Sequence, residues 1–293
     1  MQYFISLTII FFSLLLSSCS SETKHNNSLT ISTNAWIGYA PLFYAKEKGY
    51  LKENNIHLLI SVSLGEAADL YSVGRADILT TTQHEYYALK DAFHLLPVIL
   101  LDRSNGGDMI LSNRTINELQ KAKKITAYLE IDSVNAEMLK EFLQHYNIPL
   151  KKLHLINKDQ AQIEDISAHD NEAILIVTYT PYDISLKKKG FKVITSTKDI
   201  NSIIVIDALC SSKSIYNKRL KHLKILKTII DRSVEELMQD KKTSYQLIKK
   251  YLRNLSYKEY LASLQSIKWI NKPSKELLEH IEPLGYDRKY ILP

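Results

Sequence analysis

Asn34-Ala-Trp-Ile-Gly-Tyr-Ala-Pro-Leu-Phe-Tyr-Ala-Lys-Glu-Lys-Gly-Tyr-Leu51 decides how this chain folds. Before it, Leu29 to Thr33 reads as a β-strand, which runs into a loop holding Trp36, Gly38 and Tyr39. The chain then turns at Pro41 into a short amphipathic helix that stops at Gly49. Proline suits the first helical turn, where its missing N–H would go unpaired anyway, and glycine suits the C-terminal cap. The loop therefore sits at the carboxyl end of a strand, where open α/β sheets place their ligands.

Outward from that stretch, strand-like and helical runs alternate. Strands at Leu29–Thr33, Ile56–Val62 and Asp77–Thr81 are separated by helical segments 41–50 and 66–73, with further strands at Val98–Leu101 and Met109–Leu111. This βαβαβ order predicts a parallel sheet. The pattern recurs as strand Lys124–Tyr128, helix 134–145, strand Lys152–Ile156, a helix near 160–168 and strand Ala173–Val177. The third strands echo each other, Gly74-Arg-Ala-Asp-Ile-Leu79 against Asn171-Glu-Ala-Ile-Leu175. From Asn217 onward apolar residues fall at three- and four-residue spacing (Leu223, Ile225, Leu226, Ile229, Ile230, Val234, Leu237), so the chain is helical there and returns to cover the first lobe. The expected organisation is a first lobe over 29–112, a second over 113–207 and a return to the first over 208–293. No linker rich in Gly, Pro or Ser divides the lobes, so hinging is expected rather than independent tumbling.

The loops after the strands line the cleft between such lobes. Ser63-Leu-Gly65-Glu66 has a capping-box pattern, and Asp132-Ser133-Val134-Asn135 opens the matching helix of the second lobe. Helix N-termini carry unpaired N–H groups and the positive end of a dipole, which suits anions, although on spacing alone plain capping with no ligand is the favoured reading of both stretches. Asp102-Arg103-Ser104-Asn105-Gly106-Gly107-Asp108 is polar and turn-rich between apolar strands. His84-Glu85 follows the third strand, where it either touches a ligand or simply starts a solvated helix.

These segments together resemble the nitrate/sulfonate/taurine-type substrate-binding proteins of ABC importers. The run Trp-x-Gly-Tyr-x-Pro-Leu…Ala-Lys-x-Lys-Gly is similar to their first ligand-binding loop and helix, and Ser104 to Asp108 to a Ser-Asn-Gly-Ala-Asp segment just before their crossover. Thr178-Tyr179-Thr180-Pro181-Tyr182 stands where relatives carry Thr-Trp-x-Pro-Trp; tyrosine keeps the aromatic wall and adds hydroxyls. Gly190 to Ile200, Ile206-Asp207-Ala-Leu209, and Leu264 to Trp269 read as a late helical segment, extend the likeness over 29–270. The resemblance implies an α/β fold of the type II periplasmic-binding-protein kind, two lobes joined by two crossovers and closing on a ligand. The ligand-binding residues it implies are Trp36, Tyr39, Gly65, Glu66, Thr81 and Thr82 from the first lobe, with Arg103, Asn105 and Asp108 at the crossover. Ser133, Val134, Thr178, Tyr179 and Tyr182 follow from the second lobe, and Asp207 at the return. Arg103, the helix N-termini and Thr80-Thr81-Thr82 suit a small oxyanion such as a sulfonate, nitrate or carboxylate. Trp36, Tyr39, Tyr179 and Tyr182 suit a planar heterocycle equally.

The first residues bear on where the chain works. Residues 1–18 carry no charged side chain, and Phe4 to Leu16 is almost entirely apolar, too short for a stable span and fitting a signal peptide. Leu16-Ser17-Ser18-Cys19 matches a bacterial lipobox, in which the thiol takes a diacylglyceryl group and the chain is cut before Cys19; the other reading is an ordinary secretory signal with an incidental cysteine. Ser20 to Ser28 then serves as a polar tether over 19–28, leaving the protein lipid-anchored on the periplasmic side of the inner or outer membrane. In a Gram-negative host Ser20, not being Asp, permits outer-membrane transfer. Of the two cysteines only Cys210 remains, in an apolar run that marks a buried small hydrophobe. The net charge of +6 comes mostly from C-terminal helices and reads as a solvated face.

Enzymatic readings find little purchase. There is no Gly-x-Ser-x-Gly elbow, P-loop or His-Glu-x-x-His, and the nine histidines are scattered. A thiamine-pyrimidine precursor synthase shares the implied fold, but it is cytosolic with a cysteine-rich iron-linked motif, and this chain has a leader and no such cluster. The expectation is a monomeric solute-binding lipoprotein without cofactor, metal, catalytic residue or nucleic-acid partner. It would deliver a small molecule to an ABC permease or, alternatively, to a membrane sensor kinase or cyclase.

Overall fold

The computed structural model describes residues 28–200 and 204–293. The leader, Cys19 and, but for Ser28, the tether lie outside these residues. Two sheets define two lobes. In the first, β1 (Leu29–Asn34), β2 (Ile56–Ser61), β3 (Ile78–Thr82), β4 (Leu95–Ser104), β10 (Ile206–Ser212) and β11 (Ile267–Trp269) lie in the order β11-β4-β10-β3-β1-β2. In the second, β5 (Asp108–Ser112), β6 (Ile125–Leu129), β7 (Leu153–Asn157), β8 (Ala173–Tyr179) and β9 (Lys192–Ser196) lie in the order β7-β6-β8-β5-β9.

The expected parallel pairings are present where helices separate the strands. β1 runs parallel to β2 and β3, and β6 runs parallel to β7 and β8. Beside each parallel trio lies an antiparallel strand delivered straight from the other lobe, β10 next to β3 and β5 next to β8. Three expectations need correction. β5, expected to close the first lobe, pairs in the second sheet, so the first crossover falls at Asn105 to Gly107 rather than after 112. The residues Ile267–Trp269, expected as helix, form an edge strand on β4. The helix expected near 160–168 covers only Gln160–Ile163. In each case the apolar run is short, and short runs specify neither their partner sheet nor their period.

The two crossovers are tied to each other. Ser104 Oγ lies 2.8 Å from Thr197 Oγ1, which also accepts the Gly106 N–H at 2.8 Å. The Ser104 and Thr197 N–H groups donate to the carbonyls of Val205 and Asp108 at 2.9 and 3.0 Å. Gly106 has φ +103°, a left-handed conformation that glycine alone adopts without strain. These bonds make the hinge a stitched pair of strands.

Helices cover the sheets: α1 (Ala40–Glu47), α2 (Leu64–Ser72), α3 (Gln83–Phe93), α4 (Val134–His145), α5 (Tyr182–Lys188), α6 (Lys213–Gln239) and α7 (Tyr257–Leu264). The apolar stripe of α6 packs with α1 through Leu223, Leu226 and Ile230 against Leu42 and Phe43, as its spacing requires. Lys227 on the same helix is buried, but its ammonium is paired with Asp231 and the Asn271 carbonyl. No helix among the described residues is long and apolar enough to cross a membrane. Leu226 is fully buried, so Leu226→Ala should lower the unfolding free energy by about 3 kcal/mol in urea titration. A loss below about 1 kcal/mol would mean that α6 is not docked as described.

Candidate functional site

The carboxyl ends of β1, β3, β6 and β8 converge on the cleft between the lobes, where Asn34, Trp36, Tyr39, Leu64, Thr82, Asp108, Val134, Tyr179 and Asp207 line a cavity of about 10 Å³. That is room for about one water, so the lobes are shut tightly here. The Trp36 indole meets the Tyr179 ring edge-on across the cleft, with centroids 5.9 Å apart. Asn34 Nδ2 donates to the Tyr179 hydroxyl at 3.0 Å, and the Tyr182 hydroxyl donates to the Val62 carbonyl at 3.1 Å. Each of these contacts joins one lobe to the other.

Two glycines seat the indole. A Cβ at Gly38 would stand 2.3 Å from Trp36 Nε1 and 2.1 Å from Asp102 Oδ2, and one at Gly107 would stand 2.4 Å from Trp36 Cη2. The indole can therefore lie flat in its slot, where Nε1 donates to Asp102 Oδ1 at 3.2 Å. Behind the loop, Trp269 Nε1 donates to the Gly38 carbonyl at 2.9 Å, fixing its backbone.

The electrostatics of the cavity are one-sided. Asp108 and Asp207 line it, Asp102 lies behind Trp36, and all three are buried. Glu85 and Glu130 are buried nearby. No Lys, Arg or His is among the lining residues. Burial pushes the Asp108 carboxyl up to about 7, with the Glu85 charge adding to it, and pushes Glu130 up to about 8. Burial likewise holds Asp102 and Asp207 well above the usual carboxylate range, each reinforced by neighbouring acids. The Tyr39 hydroxyl donates to Asp207 Oδ1 and the Ser104 hydroxyl accepts from the Asp108 N–H, but the Oδ2 atoms of Asp102, Asp108 and Asp207 have no partner.

The sequence reading and this geometry agree only in part. Trp36, Tyr39, Thr82, Asp108, Val134, Tyr179 and Asp207 come together at the cavity, and Tyr182 reaches across beside it. Arg103 does not: it is exposed, because side chains alternate along β4 and Asp102 takes the inward position. Gly65 and Glu66 belong to a cap, in which the Glu66 N–H donates to Ser63 Oγ at 3.0 Å and its carboxylate accepts the Val62 N–H at 2.7 Å. Thr81 contacts the Cys210 thiol, Asn105 donates to the Gln265 carbonyl and Thr178 donates to Gln160. Ser133 caps α4 through the Asn135 N–H.

Asn34, Leu64, Asp102 and Glu130 were not expected at the site. Asn34 opened the quoted stretch and Asp102 the crossover loop, so both carried a signal. Of the pair His84-Glu85, the glutamate proves to be the cleft residue. Its carboxylate accepts the Val134 N–H at 2.9 Å, so an acid of the first lobe already occupies the helix N-terminus expected to hold a ligand anion.

The fold so assembled is that of the type II periplasmic binding proteins. A ligand-binding component of an ABC-type import system from Staphylococcus aureus, solved with zinc bound, superposes with TM-score 0.70 at 15% identity, over 92% of this chain and 97% of that one. The alkanesulfonate-binding protein SsuA from Xanthomonas axonopodis pv. citri, bound to MOPS, gives 0.70 at 12% identity over 91% and 98%. The desulfurization enzyme DSZB shares the fold as well, with TM-score 0.63 at 12% identity over 89% and 91%. Compared by sequence with curated proteins, the chain matches none. The family model described as NMT1/THI5 like matches residues 36–244, and the chain belongs to that family.

Proposed function

We propose that this protein is the extracytoplasmic solute-binding component of an ABC importer, which captures a small ligand by closing its two lobes. The observation that carries this reading is the cavity itself. Trp36, Asn34 and Asp207 come from the first lobe and its return strand, Tyr179 and Val134 from the second, and they surround one space. Ligand contacts on both faces exist together only when the lobes close on the ligand, and because the fully shut form has room for about one water, the ligand holds them slightly further apart than here. The permease then recognises the closed shape. Catalysis is disfavoured by the lining, which includes no His, Cys or Lys, and by Cys210, whose buried thiol is pushed up to about 12.

Small-angle scattering of the mature protein tests closure: a tight ligand should reduce the radius of gyration. A tight ligand that leaves the profile unchanged would overturn the closure reading. Trp36 fluorescence should shift on binding. Trp269 touches the same loop, so a Trp269→Phe protein isolates the Trp36 signal. The anchor is tested separately. Mass spectrometry should find a diacylglyceryl adduct on Cys19 as the first residue, absent from Cys19→Ser; an unlipidated mature chain starting elsewhere removes the anchor.

A further inference from the structure

We infer that the ligand is a small organic cation bearing N–H donors, of the protonated amine or amidine class, taken by the unpartnered acceptors of Asp108, Asp207 and Asn34. This rests on the reading of the cavity as the ligand site and goes beyond it by naming the charge and hydrogen-bonding sense of what enters.

Donors and acceptors at the cavity are out of balance. Most donors that reach the cavity are already committed; the exception is the Tyr179 O–H, whose oxygen accepts from Asn34 Nδ2. Trp36 Nε1 is given to Asp102 and the Tyr39 hydroxyl to Asp207. The Thr82 hydroxyl and the Val134 N–H are both given to Glu85, and Asn34 Nδ2 to Tyr179. The acceptors are not committed. Asp108 Oδ2, Asp207 Oδ2 and Asn34 Oδ1 belong to cavity-lining residues at most 4% exposed, and none has a partner. A buried acceptor without a donor is costly, more so when it is charged, so folds leave such groups open chiefly where something else completes them.

An oxyanion offers only further acceptors and adds negative charge to a lining that has no cationic side chain. A cation with N–H groups reverses both deficits. It supplies donors to Asp108, Asp207 and Asn34, and its charge displaces the protons that burial holds on the two carboxyls, so that cation and carboxylate form together. The aromatic surfaces of Trp36, Tyr39 and Tyr179 favour the same ligand, because a cation is drawn to the electron-rich ring face. The helix N-terminus that would argue for an anion is closed off by Glu85. Among the described residues no group of three or more His, Cys, Asp or Glu is placed to hold a metal ion.

The test is titration calorimetry of the mature protein with benzamidine and agmatine, against benzoate, benzenesulfonate, nitrate and zinc chloride. At least one of the two amidine-type cations should bind more than about tenfold tighter than any of the anions. Asp108→Asn and Asp207→Asn should each weaken that cation about tenfold or more. The same substitutions should raise the melting temperature without ligand at pH 8, because each removes an acid whose ionisation burial opposes. A merely structural role would not give weaker binding together with higher stability. If an anion binds with closure and the cations do not, the cation inference is wrong and the solute-binding reading stands. Zinc displacing benzamidine from the cavity would equally overturn the inference. If a cation binds but neither Asp108→Asn nor Asp207→Asn changes its affinity and the scattering profile does not move, this cavity is not the site and both readings fail.

Discussion

A protein carrying Gly38→Ala is expected to fold and to lose its ligand. The added methyl would lie 2.1 Å from Asp102 Oδ2 and 2.3 Å from Trp36 Nε1, distances at which one side chain must leave its place. Both neighbours are side-chain atoms and Gly38 is not held at a left-handed φ, so the backbone survives. What does not survive is the indole–carboxylate bond and the flat seating of Trp36 against Tyr179. Losing that hydrogen bond together with an aromatic wall is worth about 1–3 kcal/mol, a weakening of roughly 5- to 150-fold. Calorimetry gives the affinity and thermal unfolding the stability. Wild-type affinity in Gly38→Ala would show that the indole is not part of the binding surface. Gly107→Ala is the harsher relative, because its methyl would also stand 3.0 Å from the Ser266 backbone carbonyl, and it should cost stability as well.

The second large effect concerns pH. Asp108 on β5 faces Asp102 from β4, Asp207 from β10 and Glu85 from α3, with Tyr39 and Tyr179 alongside and no cation among the cavity-lining residues. Its carboxyl lies near 7 in the shut protein against an ordinary value of 3.8, so the folded, shut form holds its proton over a range where a solvated carboxyl does not. Stability from this group is therefore complete below about pH 4 and is lost as the pH rises through about 7; Glu130, near 8, acts in the same direction. Holding the Asp108 carboxyl at about 7 rather than 3.8 corresponds to an upper bound on the order of 4 kcal/mol for this group alone. Opening the cleft rehydrates the acids, so the ligand-free protein should expand in small-angle scattering between pH 5 and 8, before it unfolds. Asp108→Asn should blunt the expansion. An invariant radius of gyration across that range would mean that the acids are not buried together in solution.

How much of this was legible in the sequence depended on the kind of signal. The quoted stretch fixed a strand, a loop and a helix correctly because period, proline and glycine agreed over neighbouring residues. The aromatic partners Tyr179 and Tyr182 were legible because their segment has a recognisable pattern. Sheet membership of Asp108–Ser112 was not, because an apolar strand carries no mark of which sheet it joins. The character of the cavity was least legible of all. Arg103 and Asp102 are adjacent in sequence, and only the pleat of β4 decides that the acid faces in and the guanidinium out. Glu85 likewise reads as an ordinary capping residue, which it is for α3; its second bond, to the N–H of Val134, spans the two lobes and leaves no trace in spacing.

The stitched crossovers have a practical consequence for measurement. With Ser104, Gly106, Thr197 and Val205 bonded side by side, the lobes swing about essentially one axis, as a book opens along its spine. One distance between the covers then describes the whole motion. Cys210 is buried and would not react with a spin label, so a pair of introduced cysteines reports alone once Cys19 is acylated or removed. Exposed Tyr87 on the first lobe and exposed Leu155 on the second are natural positions for that ruler.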